Sequence, residues 1–176
     1  MFIGIDPGWT NLGWGVIDDD MKYVASGTWN PKNLGHGKTG PLLFEHISEI
    51  VGSDIRLAKM LGMERFVYYK GVHNPDSENI LMVTGELTAV ATLNNIPFSM
   101  FRAVEWKTNL AKYLAMTQGF KNPSDSLDKK FSMAAAEAAT GHTFKVDHEA
   151  DASCLAYVAG CAWKAIQIKA KRSARG

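Results

Sequence analysis

Residues 2–17 read FIGIDPGWTNLGWGVI, and this stretch decides the fold. Phe2 to Asp6 is a short apolar run that ends in an acid. Pro7-Gly8 turns the chain at once, and Asn11 to Ile17 is a second apolar run, rich in Gly and Trp. Successive strand side chains point to opposite faces, so Asp6 faces away from Ile3 and Ile5. Asp18-Asp19-Asp20 signals the next turn, and Lys22 to Trp29 reads as a third strand. Three strands joined this tightly predict an antiparallel meander.

Outward from the meander the periodicity changes. Asn30 to Gly40 is loop. Leu42 to Lys59 has helical spacing, with a possible break at Gly52-Ser53. Met63 to Tyr69 is rich in aromatic and β-branched residues and predicts a strand. Asp76 or Ser77 can cap a helix to about Leu93, and Ile96 to Phe101 predicts a fifth strand. Helices are expected over Val104–Ala115, Leu127–Ala139 and Val146–Lys169. The expected fold class is α/β: a mixed five-stranded sheet flanked by helices.

The 176 residues favour one domain, with a basic C-terminal tail at about 164–176. Hydrophobic residues at 46% and charged residues at 21% exclude a disordered chain. No apolar run is long enough to span a membrane, and the N-terminus does not read as a signal peptide, so the expected location is the cytoplasm and no membrane partner is expected. Cys154 and Cys161 are about two helical turns apart, roughly 10 Å and too far for a disulfide. The formal net charge of +1 hides an asymmetry: after Asp151 come Lys164, Lys169, Lys171, Arg172 and Arg175 and no acid. That imbalance fits a polyanionic partner, although a solvated terminus would look the same.

Three acidic positions carry possible chemistry. Asp6 at a strand end is held on a rigid element near solvent, which suits a hard cation such as Mg²⁺, yet Asp-Pro-Gly also opens ordinary turns. Glu64 stands in an apolar strand, where an unpaired carboxylate is costly, so it needs a partner or a function; an ion pair with Arg65 or Lys70 would meet that need. His148 and Asp151 are three apart at the start of a helix and share a face, but acids there also serve as caps. Glu149 should turn away to solvent.

Gly4-Ile5-Asp6-Pro7-Gly8 with Gly13-Trp14-Gly15-Val16-Ile17, Glu64 followed by Asn74, Asp76-Ser77 and Gly85, and His148-x-x-Asp151 followed by an apolar helix resemble, in order, the motifs of RuvC-type Holliday junction resolvases. The resemblance implies an RNase H-like fold and a Mg²⁺-dependent endonuclease, with Mn²⁺ substituting, that resolves four-way junctions and other branched DNA. Asp6, Glu64, His148 and Asp151 would be catalytic and bind two metal ions, leaving 5′-phosphate and 3′-hydroxyl ends. The Gly71 to Pro75 loop and the chain length fit a phage or mobile-element variant, which places the protein in a bacterial cytoplasm or an infected host cell. An actin-like ATPase shares the opening motif but needs a second such domain.

Arg102, Lys107, Lys129 and Lys130 are candidate phosphate contacts, and Tyr68, Tyr69 and Lys70 candidate contacts to junction bases and phosphates. The five tryptophans read as packing residues. Symmetric nicking of a junction calls for a homodimer. The resemblance implies an interface on the helix carrying Ile80, Leu81, Val83, Thr84 and Leu87, with the basic C-terminal charges flanking the DNA. An RNA-processing RNase H-like nuclease and a non-catalytic junction-binding protein are the rival readings.

Overall fold

The computed structural model describes residues 1–67, 75–124 and 126–174. Strand β1 (Phe2–Asp6) pairs antiparallel with β2 (Leu12–Ile17), which pairs antiparallel with β3 (Tyr23–Trp29). This is the expected meander. After helix α1 (Thr39–Val51), strand β4 (Met60–Glu64) lies parallel to β1 on its other side. Helix α2 (Ser77–Leu93) leads to β5 (Phe98–Phe101), parallel to β4. Helices α3 (Ala103–Gln118), α4 (Lys129–Thr140) and α5 (Asp147–Ser173) complete the order. The five strands run β3-β2-β1-β4-β5 across one mixed sheet.

The sheet separates two cores. Ile3, Ile5, Leu12, Trp14, Leu61 and Met63 pack with Leu43, Ile47, Val83 and Leu87 of α1 and α2. Phe2 and Met60 face the opposite way and pack with Trp106, Phe131, Leu155 and Ala159 of α3, α4 and α5. On this face glycines stand where strand side chains would meet α5. A Cβ on Gly4 would sit 1.8 Å from the Ala152 carbonyl oxygen, and one on Gly62 would sit 2.5 Å from that of Leu155. Helix α5 therefore lies with its backbone against β1 and β4.

Several boundaries differ from the sequence reading. The fourth strand was expected over Met63–Tyr69 but runs Met60–Glu64, so Glu64 ends the strand. Gly62 hides the periodicity: it looks like a breaker, yet it is required by the helix above it. Helix α1 ends at Val51, because Gly52 takes a left-handed C-cap (φ 62°); only a short 3₁₀ turn, Ile55–Leu57, follows. Helix α4 starts at Lys129, with the Asp128 carboxylate accepting from the Lys130 and Phe131 amides.

Helix α2 carries a further correction. Val83, Thr84 and Leu87, assigned to a dimer interface, are buried in the chain's own core. Leu81 (53% exposed) and Met82 (48%) are the outward residues of that stretch. Tyr68, Tyr69 and Lys70 lie outside the described residues, as does most of the Gly71 to Pro75 loop.

Candidate active site at one end of the sheet

The parallel pairing of β1 with β4 sets Ile5 opposite Met63. Asp6 and Glu64 are the next residues, so both carboxylates leave the same end of adjacent strands. Both belong to the alternation that faces α5, as the sequence required for Asp6. Helix α5 adds its first turns. A Cβ on Gly13 would meet the His148 carbonyl oxygen at 2.0 Å, so a glycine on β2 lets that turn approach the sheet.

The contacts are specific. His148 Nδ1 lies 2.7 Å from Asp6 Oδ2. Trp106 Nε1 donates to Glu64 Oε2 at 2.9 Å. Lys107 Nζ lies 3.4 Å from Asp151 Oδ1 and 3.5 Å from Oδ2, and 5.0 Å from the centre of the Trp106 ring. Lys129 pairs with Asp147 at the mouth of the same helix. All four expected catalytic side chains therefore stand at one end of the sheet.

The charges are poorly compensated. Burial pushes the Glu64 carboxyl up to about 7, against the Trp106 hydrogen bond that opposes the shift; the nearby Asp6 and Asp151 charges add to the rise. Burial also raises the Asp151 carboxyl, with Lys107 opposing. The bond to Asp6 raises the His148 imidazole. Three carboxylates that repel one another in a partly desolvated corner favour a bound cation.

The donors suit a hard metal ion. Asp6, Glu64 and Asp151 offer oxygens and His148 a nitrogen. Asp151 Oδ1 is buried without a hydrogen bond, its near neighbour being Lys107 Nζ at 3.4 Å. Among the described residues no group of three or more His, Cys, Asp or Glu forms a ready-made metal cage. Each candidate ligand engages a protein group instead: His148 with Asp6, Trp106 with Glu64, and Lys107 with Asp151.

Other expected contacts divide. Lys107 lies inside the site. Lys129 is at its mouth, Lys130 is exposed, and Arg102 is exposed and paired with Glu105 at 3.6 Å. The sequence reading treated Trp106 as packing alone and missed its bond to Glu64. The available signal was that a buried indole N–H needs an acceptor. Glu149 is not solvent-facing but accepts from Ser26 Oγ at 3.1 Å. Glu86 has an architectural role: it accepts from the Gly37, Thr39 and Gly40 amides at 2.6, 2.9 and 3.4 Å, capping α1 from a neighbouring helix.

The basic C-terminal residues are not beside the carboxylates. Helix α5 is continuous over 27 residues, so its far end is ~40 Å from Asp147. Lys164, Lys169, Lys171 and Arg172 are exposed on that far part.

No protein-family model matches the chain. It is 44% identical over 54 residues to the crossover junction endodeoxyribonuclease RuvC of Variovorax paradoxus (strain S110); the match covers 27% of this chain and 30% of that relative's length. Across nearly the whole chain the fold matches Thermus thermophilus RuvC. In its complex with a Holliday junction substrate the TM-score is 0.64 at 15% identity, covering 94% of each chain. A second Thermus thermophilus RuvC structure gives 0.63 at 16% identity, covering 94% of this chain and 95% of that one. The fold is therefore the RNase H-like fold of the RuvC resolvases, and over one stretch the sequence is similar as well.

Proposed function

We propose that the chain is a structure-selective DNA endonuclease that resolves four-way junctions and other branched DNA. One observation carries the reading: Asp6, Glu64, His148 and Asp151 come from three separate elements to one corner, on the fold of the RuvC resolvases. A protein that only bound DNA would gain nothing from acids set against phosphates.

Asp6, Glu64, His148 and Asp151 are the residues that would hold Mg²⁺, with Mn²⁺ able to replace it. Held there, the ion would supply Lewis-acid chemistry, activating a water and stabilising negative charge at the phosphate. The chain's own groups have separate tasks. Trp106 fixes the Glu64 carboxylate. Asp6 orients the His148 ring, whose other nitrogen can bind metal or carry a proton. Lys107 offers a positive charge to phosphate next to Asp151. Lys129 and Lys130 extend that charge along the mouth of the site, and Arg102 starts the helix that carries Lys107. Tyr68, Tyr69 and Lys70 follow Glu64 by four to six positions in sequence and are assigned to the junction bases and phosphates.

The chain acts as one nuclease domain in the cytoplasm; among the described residues no helix is long and apolar enough to cross a membrane. It works as a homodimer, because two opposed nicks need two matched sites. The dimer contact uses the outward residues of α2, Leu81 and Met82, with Leu93 (81% exposed) farther along the helix.

A panel of a synthetic four-way DNA junction, an RNA–DNA hybrid and a structured RNA, each with and without Mg²⁺, tests the proposal. Paired nicks in the junction alone, dependent on metal, are expected. Preferential cutting of the hybrid or the RNA would move the chain to an RNA-processing nuclease.

A further inference from the structure

Among the described residues assigned to DNA, Arg102 and Lys107 follow β5, on one side of the carboxylates. The other side also carries positive charge. Trp29 ends β3 and pairs with Leu12, next to the Asp6–Gly13 pair. Phe101 ends β5 and pairs with Glu64. The loop after β3 and the helix after β5 therefore leave the same end of the sheet, on opposite sides of the acids. Four strand spacings separate them, roughly 19 Å, about the width of a nucleic-acid duplex.

The loop after β3 is built to keep its shape. Its Lys32 amide donates to the Trp9 carbonyl at 3.1 Å. Trp9 is three residues beyond Asp6, so its Cα lies within ~11 Å of that of Asp6. The His36 ring stacks on Trp9, with centroids 4.9 Å apart and planes 16° from parallel. Gly35 and Gly37, at φ 76° and 82°, turn the backbone on either side of His36 in a way that residues with a Cβ rarely adopt. Glu86 ties the loop's end to α2 through the Gly37 and Thr39 amides. The ordered loop presents Lys32, His36 and Lys38 to solvent. It contains no acid.

We propose that the 30–38 loop is the second bank of the DNA cleft, with Lys32 and Lys38 meeting backbone phosphates of a junction arm and the Trp9–His36 stack holding the loop in place. The inference rests on the junction-resolving reading and extends it to a binding surface. The two lysines are binding residues remote from the reacting phosphate. His36 is a positioning residue.

The test compares the parent chain with the Lys32→Ala/Lys38→Ala double variant on a four-way junction, by affinity across a salt series and by single-turnover cleavage at saturating protein. Two lost phosphate contacts should weaken binding about tenfold or more near 0.1 M salt and make the slope of log K against log salt shallower by about two. The saturated cleavage rate should stay within about twofold. His36→Ala should weaken binding by a smaller factor, again without changing the saturated rate. Unchanged affinity and slope in the double variant, with the parent binding and cutting normally, would overturn the loop assignment alone. A parent that neither bound nor cut the junction would remove the reading beneath it.

Discussion

The two faces of the sheet are built by opposite means. Against α1 and α2 the strands present large side chains, and the contact is an ordinary interdigitated core. Against α5 they present Gly4, Gly13 and Gly62, and a helix backbone settles onto the strands. The first face supplies apolar burial. The second brings His148 and Asp151 to within reach of Asp6 and Glu64. Close approach, more than core volume, positions the site. The acids of the two faces should then respond differently to mutation.

The largest effects belong to the α5 face. Asp6→Asn, Glu64→Gln and Asp151→Asn each remove a charge from the proposed metal site and should lower junction cleavage by at least ~100-fold. Junction binding should be kept or tightened, because phosphate repulsion falls. Glu86→Gln, on the α1/α2 face, should cut at near the parental rate while losing about 1–2 kcal/mol of stability as the cap on α1 weakens. Glu78→Gln should also cut at near the parental rate, with no loss of stability. Cleavage assays with chemical denaturation check the set, and a dead Glu86→Gln beside an active Glu64→Gln would reverse the assignment.

Glycine substitutions sharpen the contrast. Gly4→Ala forces a Cβ onto the Ala152 carbonyl and should cost at least ~3 kcal/mol, because backbone rather than a flexible side chain must yield. Gly85→Ala, in α2 with nothing within 4 Å of its Cβ, should stabilise by about 0.5–1 kcal/mol. Thermal melts of the two variants give the comparison directly.

Protonation separates the faces more gently. His148→Ala should lose most activity at neutral pH. Parental activity should fall with decreasing pH as the imidazole takes up a proton, at a pH above its usual midpoint because Asp6 favours the charged form. Glu64 links pH to stability as well. Its carboxyl rises from 4.5 to about 7 on folding, so the native state holds the proton more tightly. Metal-free stability should therefore fall as pH climbs from 4.5 through 7, by on the order of 1–3 kcal/mol. Glu64→Gln should reduce that slope, leaving the smaller part due to Asp151 and His148, and added Mg²⁺ should offset it in the parent. A flat pH profile for the parent would mean that Glu64 is not desolvated.

The smallest expected change concerns α2. Leu81→Asp with Met82→Asp should shift the chain from dimer to monomer in light scattering while leaving its fold intact. A monomeric parent, free and on a junction, would remove the homodimer.

Much of this was legible in the chain, and the failures share a cause. The meander, the element order and the direction of Asp6 follow from alternation and turn residues within a few positions of one another. Glu64 could be named, but the strand was placed three residues late, because Gly62 reads as a breaker until α5 is known to lie on it. Val83 and Leu87 looked available for a partner, since a helix's apolar stripe does not reveal which surface covers it. The Trp106–Glu64 bond spans 42 residues, and no local pattern encodes such a contact. The far placement of the C-terminal charges depends on α5 staying unbroken over its whole length.

The most direct measurement follows a synthetic four-way junction incubated with the parent, Asp6→Asn or Glu86→Gln, each with and without Mg²⁺. Symmetric nicks are expected from the parent and from Glu86→Gln only when the metal is present, and none from Asp6→Asn although it binds the junction. Cleavage by Asp6→Asn at the parental rate, or a parent that leaves the junction intact in Mg²⁺, would contradict a metal-dependent junction nuclease built on the α5 face.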